Sequence, residues 1–443
     1  MKTQTQTQTP SAPLRRRYAD SLSAAPVILP FAAYVLWWLL GIGDFIWIIA
    51  GFVIAGSWLG VKGLRFPPVA LLWVFFVLWV GVTIAMNDTP GRVVGALYRL
   101  LLYASAGLLL LHTFNARHSL PLWRVTKAMT WFLGGMTVVG YAALIVPQAV
   151  IRTPMSWIMP SGLASNELVR DMIVRQLAHW NPEAWVEQAV RPVAPFLYAN
   201  TWGNVYSLVL PLVLLHLWLG WHTRHRWVTI VVVVSSIVPA LSTLNRGMFV
   251  GLGVVLLWVL IQLLLRGRVL LVGASIGTVA AAFVLWSLSP LGDALRNRVE
   301  STYSTEDRFQ LYRSTLEAAL RSPLFGYGSP RPAEEPWLPS LGTQGQLWTV
   351  LYSHGFVGVA LFIGFLVAVF CLVARRRDVP GGVFGGIILA TLVETVFYGM
   401  MTGIMVTLVV AALALRSDTA VSSADRPGTG VQTSATGRPR VRR

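Results

Sequence analysis

Arg246 stands at the entrance of an apolar run that is long enough to cross a membrane. It lies in the segment LSTLNRGMFVGLGVVLLWVL, residues 241–260, and no acidic residue occurs within eight positions of it. An ionisable residue at membrane depth is costly unless it has a partner or a function. The segment therefore predicts either a ligand-binding role for Arg246 or a buried partner from another part of the chain.

Further arginines lie in the loops on the same side of the apolar runs as Arg246. Their guanidinium groups form paired hydrogen bonds with phosphate oxygens and stay charged when partly dehydrated. An anionic lipid headgroup is the natural ligand of such a face, although most of these arginines could instead pair with acids of the same loops. The arginines are Arg152, Arg170, Arg175, Arg191, Arg246, Arg296, Arg298, Arg308, Arg313, Arg321 and Arg331.

The composition indicates an integral membrane protein. Of the 443 residues, 55% are hydrophobic and 12% are charged, whereas about 25% of a typical soluble domain is charged. Helices that cross a membrane need about 17 to 25 apolar residues, and an all-α fold follows because a spanning segment must satisfy its own backbone hydrogen bonds. The twelve predicted spans are near 26–42, 45–61, 67–86, 93–114, 128–147, 196–219, 227–244, 247–265, 269–288, 346–374, 382–400 and 402–415.

The distribution of charge predicts the orientation of these spans. With a cytoplasmic N-terminus every short inside loop is basic, as the positive-inside rule requires, and thirteen of the eighteen acids fall in outside loops or at their edges. Both termini are then cytoplasmic. The net charge of +17 reflects this topology and attraction to anionic lipid, so we expect no nucleic-acid partner. The single cysteine, Cys371, excludes a disulfide framework.

The chain divides into one membrane domain and two tails. Residues 26–415 form the predicted transmembrane domain, and the polar segments 1–25 and 416–443 are predicted to be disordered cytoplasmic tails. Two long outside loops, 148–195 and 289–345, interrupt the pattern of tight turns. Loops of this length are usually functional or disordered, so the functional face is expected to be outside.

Both outside loops carry helical patterns. The stretch SNELVRDMIVRQLAHWNPEAWVEQAV in the first loop has apolar residues at helical spacing and predicts a helix along the membrane surface. In the second loop Thr305 can cap a helix that ends before SPLFGYG. The apolar stripe of this second helix is Phe309, Tyr312, Leu316 and Leu320.

Four stretches, in order and spacing, resemble the O-antigen ligase and O-antigen polymerase superfamily over about residues 70–415. RPVAPFLYANTWGNVYSLVLPLVL, residues 191–214, resembles its arginine-then-asparagine element, and LSTLNRGMFVGLGVVLLWVL resembles the serine-arginine-glycine signature that opens a helix. DRFQLYRSTLEAALRSPLFGYG, residues 307–328, is similar to its outer-loop element, and LYSHGFVGVALFIGFL, residues 351–366, to its Gly-x-x-Gly helix entry. The resemblance implies a GT-C-like polytopic fold.

The same resemblance implies a metal-independent glycosyltransferase without cofactors, placed in the cell inner (plasma) membrane with its active face extracytoplasmic. Members take a glycan from a polyprenyl diphosphate during assembly of surface polysaccharides. They pass it to an acceptor hydroxyl on a glycolipid, as ligases, or on another glycan, as polymerases. The implied partners are therefore the lipid-linked donor, the glycan or glycolipid acceptor and the lipid bilayer.

The resemblance also suggests roles for particular residues. By position, Arg191 and Arg246 would hold the diphosphate, because preorganised cations stabilise the charge of a leaving group. Arg308 would position the loop or contact phosphate or sugar, and an ion pair with Glu306 or Asp307 is an equally good explanation of it. The other expected substrate-binding residues are Asn200, Arg313 and Trp348.

One position departs from the family pattern. The histidine that commonly precedes the Gly-x-x-Gly helix, and assists deprotonation of the acceptor, falls here on Gln344. Glutamine cannot act as a general base, although it can orient a hydroxyl. Either the base lies elsewhere, or none is needed, or the activity is lost. The substitute bases are Glu334 and Glu335 on the same loop and His179, Glu183 or Glu187 on the other, while His354 is expected to be a packed helix residue.

Glu394 is the remaining ionisable residue within a predicted span. It lies in ATLVETVFYGMM, where a charge is costly. We expect it to be neutral or paired with Arg99 in GALYRLLLYA, and a polar lining for a lipid groove or an ion path is the alternative.

Three functions remain open from the sequence. The favoured one is a glycan polymerase or ligase that uses a polyprenyl-diphosphate donor. The second is a transporter of lipid-linked glycan, which would have internal repeats and broken helices at corresponding positions, and the sequence has no such pattern. The third is a non-catalytic protein that binds lipid-linked glycan.

Overall fold

Helices dominate the architecture. The computed structural model describes residues 17–18, 22–165, 167–181, 183, 189–288, 304–333 and 339–416. The helices in these ranges are α1 (Ala25–Ala32), α2 (Tyr34–Leu39), α3 (Ile46–Ser57), α4 (Ala70–Thr83), α5 (Pro90–Asn115), α6 (Leu122–Ile145), α7 (Met155–Ile158), α8 (Ser161–Ala164), α9 (Glu167–Ile173), α10 (Ala199–Leu219), α11 (His225–Ser242), α12 (Arg246–Leu264), α13 (Val269–Ser287), α14 (Ser304–Arg321), α15 (Gln346–Val373), α16 (Val379–Glu394) and α17 (Met401–Leu415).

Short strands pair two by two beside these helices. The strands are β1 (Arg17–Tyr18), β2 (Val61–Lys62), β3 (Val150–Arg152), β4 (Val174–Gln176), β5 (Ala178–His179) and β6 (Arg191–Pro192). β1 pairs with β2 in parallel. β3 pairs with β4, and β5 with β6, in antiparallel register. The last two pairs shape the first outer loop.

The predicted all-α polytopic membrane fold is confirmed. Six helices in the described ranges are long and apolar enough to cross a membrane, namely α5, α6, α10, α11, α12 and α15. Shorter apolar helices include α3, α4 with the 3-10 turn that follows it, part of α13, α16 and α17. Together with α1 and α2, these helices lie along the twelve predicted spans, while the number of segments that cross the membrane stays a prediction.

Two helices form the centre of the bundle. Every residue of α17 from Thr402 to Ala414 is buried, and most of α10 is buried as well. α17 packs against α5, and α10 packs against α6 and α12. α17 is apolar on nearly all sides, as expected for a helix surrounded by other helices, whereas α10 also carries the buried polar residues Asn204, Ser207 and His216.

The first outer loop differs from its predicted form. The long surface helix is confirmed only over α9, and the chain then continues as the strands β4 and β5. An ion pair anchors this loop, because the Arg175 guanidinium lies 2.6 Å from Oδ2 of Asp44 in the α2–α3 connection. The Arg175 side chain is only 2% exposed, so loss of either partner would leave a buried charge uncompensated.

α14 confirms the helix predicted in the second outer loop, but its buried face differs from the predicted stripe. Leu311 and Ala319 are buried, whereas Phe309, Leu316 and Leu320 are exposed. An apolar stripe identifies the packed face of a helix only when the opposite face is in water. In a membrane protein an apolar face can also meet lipid, so the stripe by itself does not show which side packs.

The stretch that follows α14 docks onto a break in α15. The break is at Gly355, whose φ is 67° and ψ is −170°. The carbonyls of Tyr352 and Ser353 accept hydrogen bonds from the N–H groups of Tyr327 and Gly328, both at 2.9 Å. The Phe356 N–H donates to the Pro323 carbonyl at 2.7 Å. Two of the four motif stretches therefore form one structural unit.

Glu394 does not pair with Arg99. Its Oε2 accepts a hydrogen bond from Asn204 Nδ2 at 2.7 Å, and its Oε1 lies 2.6 Å from Ser207 Oγ. The Ser207 hydroxyl also donates to the Asn204 carbonyl at 2.7 Å. Since a hydroxyl has one proton and a carbonyl only accepts, the proton between Glu394 and Ser207 belongs to Glu394. This pattern is that of a neutral carboxyl group, the other expectation for this residue.

We expect Gly355→Ala to destabilise the protein and Gly364→Ala, on the same helix, to leave it stable. A Cβ at Gly355 would overlap the Leu324 carbonyl, and its backbone lies in a region that only glycine tolerates, at a cost of about 1–3 kcal/mol. A Cβ at Gly364 meets nothing within 4 Å, and alanine gains about 1 kcal/mol in a helix. Thermal unfolding in detergent should show a lower midpoint for Gly355→Ala alone. Equal midpoints for the two variants would contradict this account of the break.

Glu394→Gln should unfold within about 1 kcal/mol of the unmodified protein, because a glutamine amide can donate to Ser207 and accept from Asn204 as a neutral carboxyl does. Glu394→Ala should lose about 1–3 kcal/mol, since the buried Asn204 amide would lack its acceptor. Denaturant unfolding of both variants measures the difference. If Glu394→Gln were as unstable as Glu394→Ala, Glu394 would have to be ionised.

Candidate functional site

Three predicted arginines line one cavity of about 410 Å³, here called the arginine cavity. Arg191 comes from β6, Arg246 is the first residue of α12 and Arg308 is the fifth residue of α14. The remaining lining residues are Asn200, Leu244, Asn245, Gly247, Val250, Phe309, Tyr312, Val396, Phe397 and Tyr398. None of the described residues that line this cavity is acidic, so its charge is positive and suits an anionic ligand.

A tight turn between α11 and α12 positions Arg246. Leu244 in this turn has φ of 49°, the one positive φ among the non-glycine residues that the structure describes. Such a conformation persists only where its surroundings hold it. Asn245 does so, because its Nδ2 donates to the carbonyls of Ala199 and Asn200, each at 3.3 Å, and its Oδ1 accepts from the Tyr398 hydroxyl. The N-terminal end of α12 adds a partial positive charge beside Arg246.

Arg191 reaches the same turn from the first outer loop. It faces His179 across the β5–β6 pair, and its Nε donates to the Thr243 carbonyl at 2.9 Å. Thr243 is fully buried, so this bond aligns the Arg191 side chain along a fixed part of the fold. The strand pair and the turn together place Arg191 beside Arg246.

An aromatic pair supports α14 at the Arg308 side of the cavity. Tyr312 stacks on Trp348 with ring centroids 4.5 Å apart. The Tyr312 hydroxyl is shared between the carbonyls of Gln344 and Val396, at 3.0 and 3.2 Å, and Trp348 Nε1 donates to Val396 at 2.9 Å. Burial raises the pKa of Tyr312, and the positive charge of Arg308 acts in the opposite direction. The phenol therefore stays protonated and keeps its hydrogen bonds.

A second cavity of about 500 Å³, here called the glutamine cavity, adjoins the first. It includes Gln344, and the two cavities share Asn200, Phe397 and Tyr398. Amide and hydroxyl groups are common in its wall, as in sites that bind hydroxyl-rich ligands. Its other lining residues are Asp44, Gly95, Tyr98, Arg99, Met172, Phe196, Leu197, Tyr198, Thr201, Pro330, Thr343, Gln346, Thr349, Gly399, Met401 and Thr402.

Some predicted residues lie away from both cavities. Arg313 is exposed and pairs with Glu317 at 2.9 Å on the surface of α14, and Trp348 supports Tyr312 without lining either cavity. His179 and Glu183 are exposed and line neither. The candidates Glu187, Glu334 and Glu335 lie outside the described residues, and within the described part of the chain no group of three or more His, Cys, Asp or Glu could hold a metal ion.

His354 is packed, as its position in the sequence predicts. It is 2% exposed, and its Nδ1 lies 2.7 Å from Thr83 Oγ1. The Thr83 hydroxyl donates to the Val80 carbonyl at 2.8 Å, so His354 Nδ1 must be the donor to Thr83. The carbonyl of His354 also accepts from Trp79 Nε1 at 2.9 Å. This histidine fastens α15 to α4.

Sequence reasoning missed three residues of the site. Asn245 had a local signal, because it stands directly before Arg246 in the motif. Tyr398 and Asp44 had none, since they are far from the motifs in the sequence and only packing brings them to the cavity walls.

Comparison with known proteins adds one match. No curated protein matches the chain. A family model described as O-antigen ligase matches residues 231–363, a segment that contains Arg246, Arg308 and Gln344 but neither Arg191 nor Asn200. The match supports a general role in glycan ligation or polymerisation at a membrane. Over residues 231–363 this polytopic chain is therefore similar to the O-antigen ligase family.

Proposed function

We propose that this protein is a glycan polymerase or ligase that transfers a glycan from a polyprenyl-diphosphate donor to an acceptor hydroxyl. The observation that carries the proposal is the convergence of Arg191, Arg246 and Arg308 on one cavity that adjoins a second cavity with amide and hydroxyl groups in its wall. The match of residues 231–363 to the O-antigen ligase family supports the same general role.

The arginine cavity would hold the diphosphate. When the bond between the sugar and the diphosphate breaks, negative charge grows on the departing phosphate oxygens. Guanidinium groups placed beforehand around those oxygens stabilise the charge in the transition state. Three arginines and the start of α12 would supply this stabilisation, so the proposed reaction is metal-independent.

The glutamine cavity would hold the acceptor. The acceptor's hydroxyl oxygen attacks the anomeric carbon of the donor glycan. The bond from that carbon to the diphosphate oxygen breaks, and its electron pair leaves with the diphosphate. The acceptor hydroxyl loses its proton. The reacting carbon would lie near Asn200, which lines both cavities. Gln344 would orient the acceptor hydroxyl by hydrogen bonding.

Both cavities are expected to face the outside of the inner membrane. Residues of the first outer loop, such as Arg191, and of the second, such as Arg308 and Gln344, contribute to their walls. The positive-inside rule places those loops outside and both termini inside. A donor on the outer leaflet would then meet the arginines at the depth of its headgroup.

Arg246→Ala should lower glycan transfer by about 10²- to 10³-fold, the usual effect of removing one group that stabilises a developing anion. Arg313→Ala is the matched control, because Arg313 is an exposed arginine whose ion pair with Glu317 lies on the surface of α14, and it should retain full transfer. Purified protein in nanodiscs is given a synthetic polyprenyl-diphosphate oligosaccharide and an acceptor glycan with a metal chelator present. Product is quantified by gel or mass spectrometry.

The products distinguish the remaining alternatives. A ladder of lengths indicates a polymerase, and a single transferred block indicates a ligase. Equal losses in the two arginine variants would refute the role of the arginine cavity. An unmodified protein that binds the donor without turning it over, with every acceptor tested, would be a non-catalytic binder of lipid-linked glycan.

A further inference from the structure

The proposed transfer leaves one proton without a destination. The acceptor hydroxyl must release it as the new glycosidic bond forms, and Gln344 cannot accept it because an amide is not a base at neutral pH. A carboxylate or an imidazole next to the acceptor would do so. Asp44 is the one carboxylate among the described residues that line either cavity.

Asp44 is held with one oxygen occupied and the other available. Its Oδ2 accepts from the Arg175 guanidinium at 2.6 Å, and the Tyr98 hydroxyl donates to its backbone carbonyl at 3.2 Å. No described residue forms a hydrogen bond with Oδ1. The Asp44 side chain is only 16% exposed, so a ligand in the glutamine cavity would meet a carboxylate that is fixed in place and partly shielded from water.

The other basic groups in the described part of the chain are less suitably placed. His354 is buried with Nδ1 bound to Thr83, and it lines neither cavity. His179 and Glu183 are exposed, and neither lines a cavity. Arg99 lines the glutamine cavity with Asp44, but a guanidinium group does not accept a proton.

We propose that Asp44 is the general base of the transfer reaction, an inference that rests on the proposed function. Oδ1 of Asp44 takes the proton of the acceptor hydroxyl while the hydroxyl oxygen bonds to the anomeric carbon. The bond from that carbon to the diphosphate breaks, and its electron pair leaves with the diphosphate. The hydroxyl becomes strongly acidic as its oxygen forms the new bond, so a carboxylate placed beside it can accept the proton.

Two residues would thus share the work that the family pattern assigns to a histidine at position 344. Gln344 orients the acceptor, and Asp44 removes its proton. Arg175 holds the carboxylate in place through the 2.6 Å contact with Oδ2. A histidine reintroduced at position 344 would combine both roles and make Asp44 unnecessary.

Asp44→Asn should lower the rate of glycan transfer by about 10²- to 10⁴-fold, the usual contribution of a general base, with unchanged donor affinity. Adding Gln344→His to Asp44→Asn should restore at least about tenfold of the lost rate, since an imidazole in the same cavity can take the proton. Transfer is measured with the synthetic donor and acceptor in nanodiscs, donor affinity by equilibrium binding, and folding by the thermal midpoint of each variant.

Arg175→Met distinguishes a role of Asp44 as the base from a purely structural role in the ion pair with Arg175. It breaks the same ion pair as Asp44→Asn but keeps the Asp44 carboxylate, so it should retain more transfer than Asp44→Asn. A structural role predicts equal losses in the two variants and no rescue by Gln344→His, because a histidine at 344 cannot restore the contact with Arg175. That pattern would overturn the inference.

Transfer by the unmodified protein tests the proposed function, and transfer by Asp44→Asn tests the role of Asp44 separately. If the unmodified protein transfers glycan and Asp44→Asn transfers it equally well, Asp44 is not the base and the transferase remains. Loss of transfer in Glu334→Gln or Glu335→Gln, with full activity in Asp44→Asn, would place the base on the second outer loop instead. If the unmodified protein never transfers glycan, the proposed function itself fails.

Discussion

The candidate site depends on the three-residue turn between α11 and α12 and on Arg246, which follows it. The Thr243 carbonyl orients Arg191, the Asn245 side chain holds the start of α10 and Tyr398, and Arg246 begins α12. Leu244 accepts an unfavourable backbone conformation within the turn. Two distant regions of the chain, residues 191–200 and Tyr398, are thereby fastened to one short segment, which is the arrangement that a rigid binding site requires.

The wall of the arginine cavity on the Arg308 side depends on the break in α15 and on an aromatic pair. The break in α15 receives the stretch that follows α14, and the stacked pair of Tyr312 and Trp348 fastens α14 to the carbonyl of Val396. Because the helix is interrupted, its free carbonyls can bind the incoming backbone. The two walls meet where Asn200 and Tyr398 line both cavities, so a donor and an acceptor held in them would be adjacent.

The arginine cavity brings the like charges of Arg191, Arg246 and Arg308 together, and like charges repel. Burial in the centre of the bundle offsets this repulsion. α10 and α17 are buried along nearly their whole length, and Glu394 at the centre is held by Asn204 and Ser207 in the pattern of a neutral group. The buried helices thus carry much of the packing, while Arg191, Arg246 and Arg308 lie in an outer-loop strand and near the starts of α12 and α14.

The sequence by itself determined the membrane class, the positions of the apolar helices and the outer-loop helix α14, because length, hydropathy and capping are local properties. It also identified Arg191, Arg246 and Arg308 through motifs whose spacing is visible in the chain. Only the tertiary structure decided which face of α14 is buried, since lipid and protein both accept apolar side chains. It alone brought Asp44 to the same cavity as Gln344, because the proximity of residues 300 positions apart is set by how helices pack and not by the residues around either one.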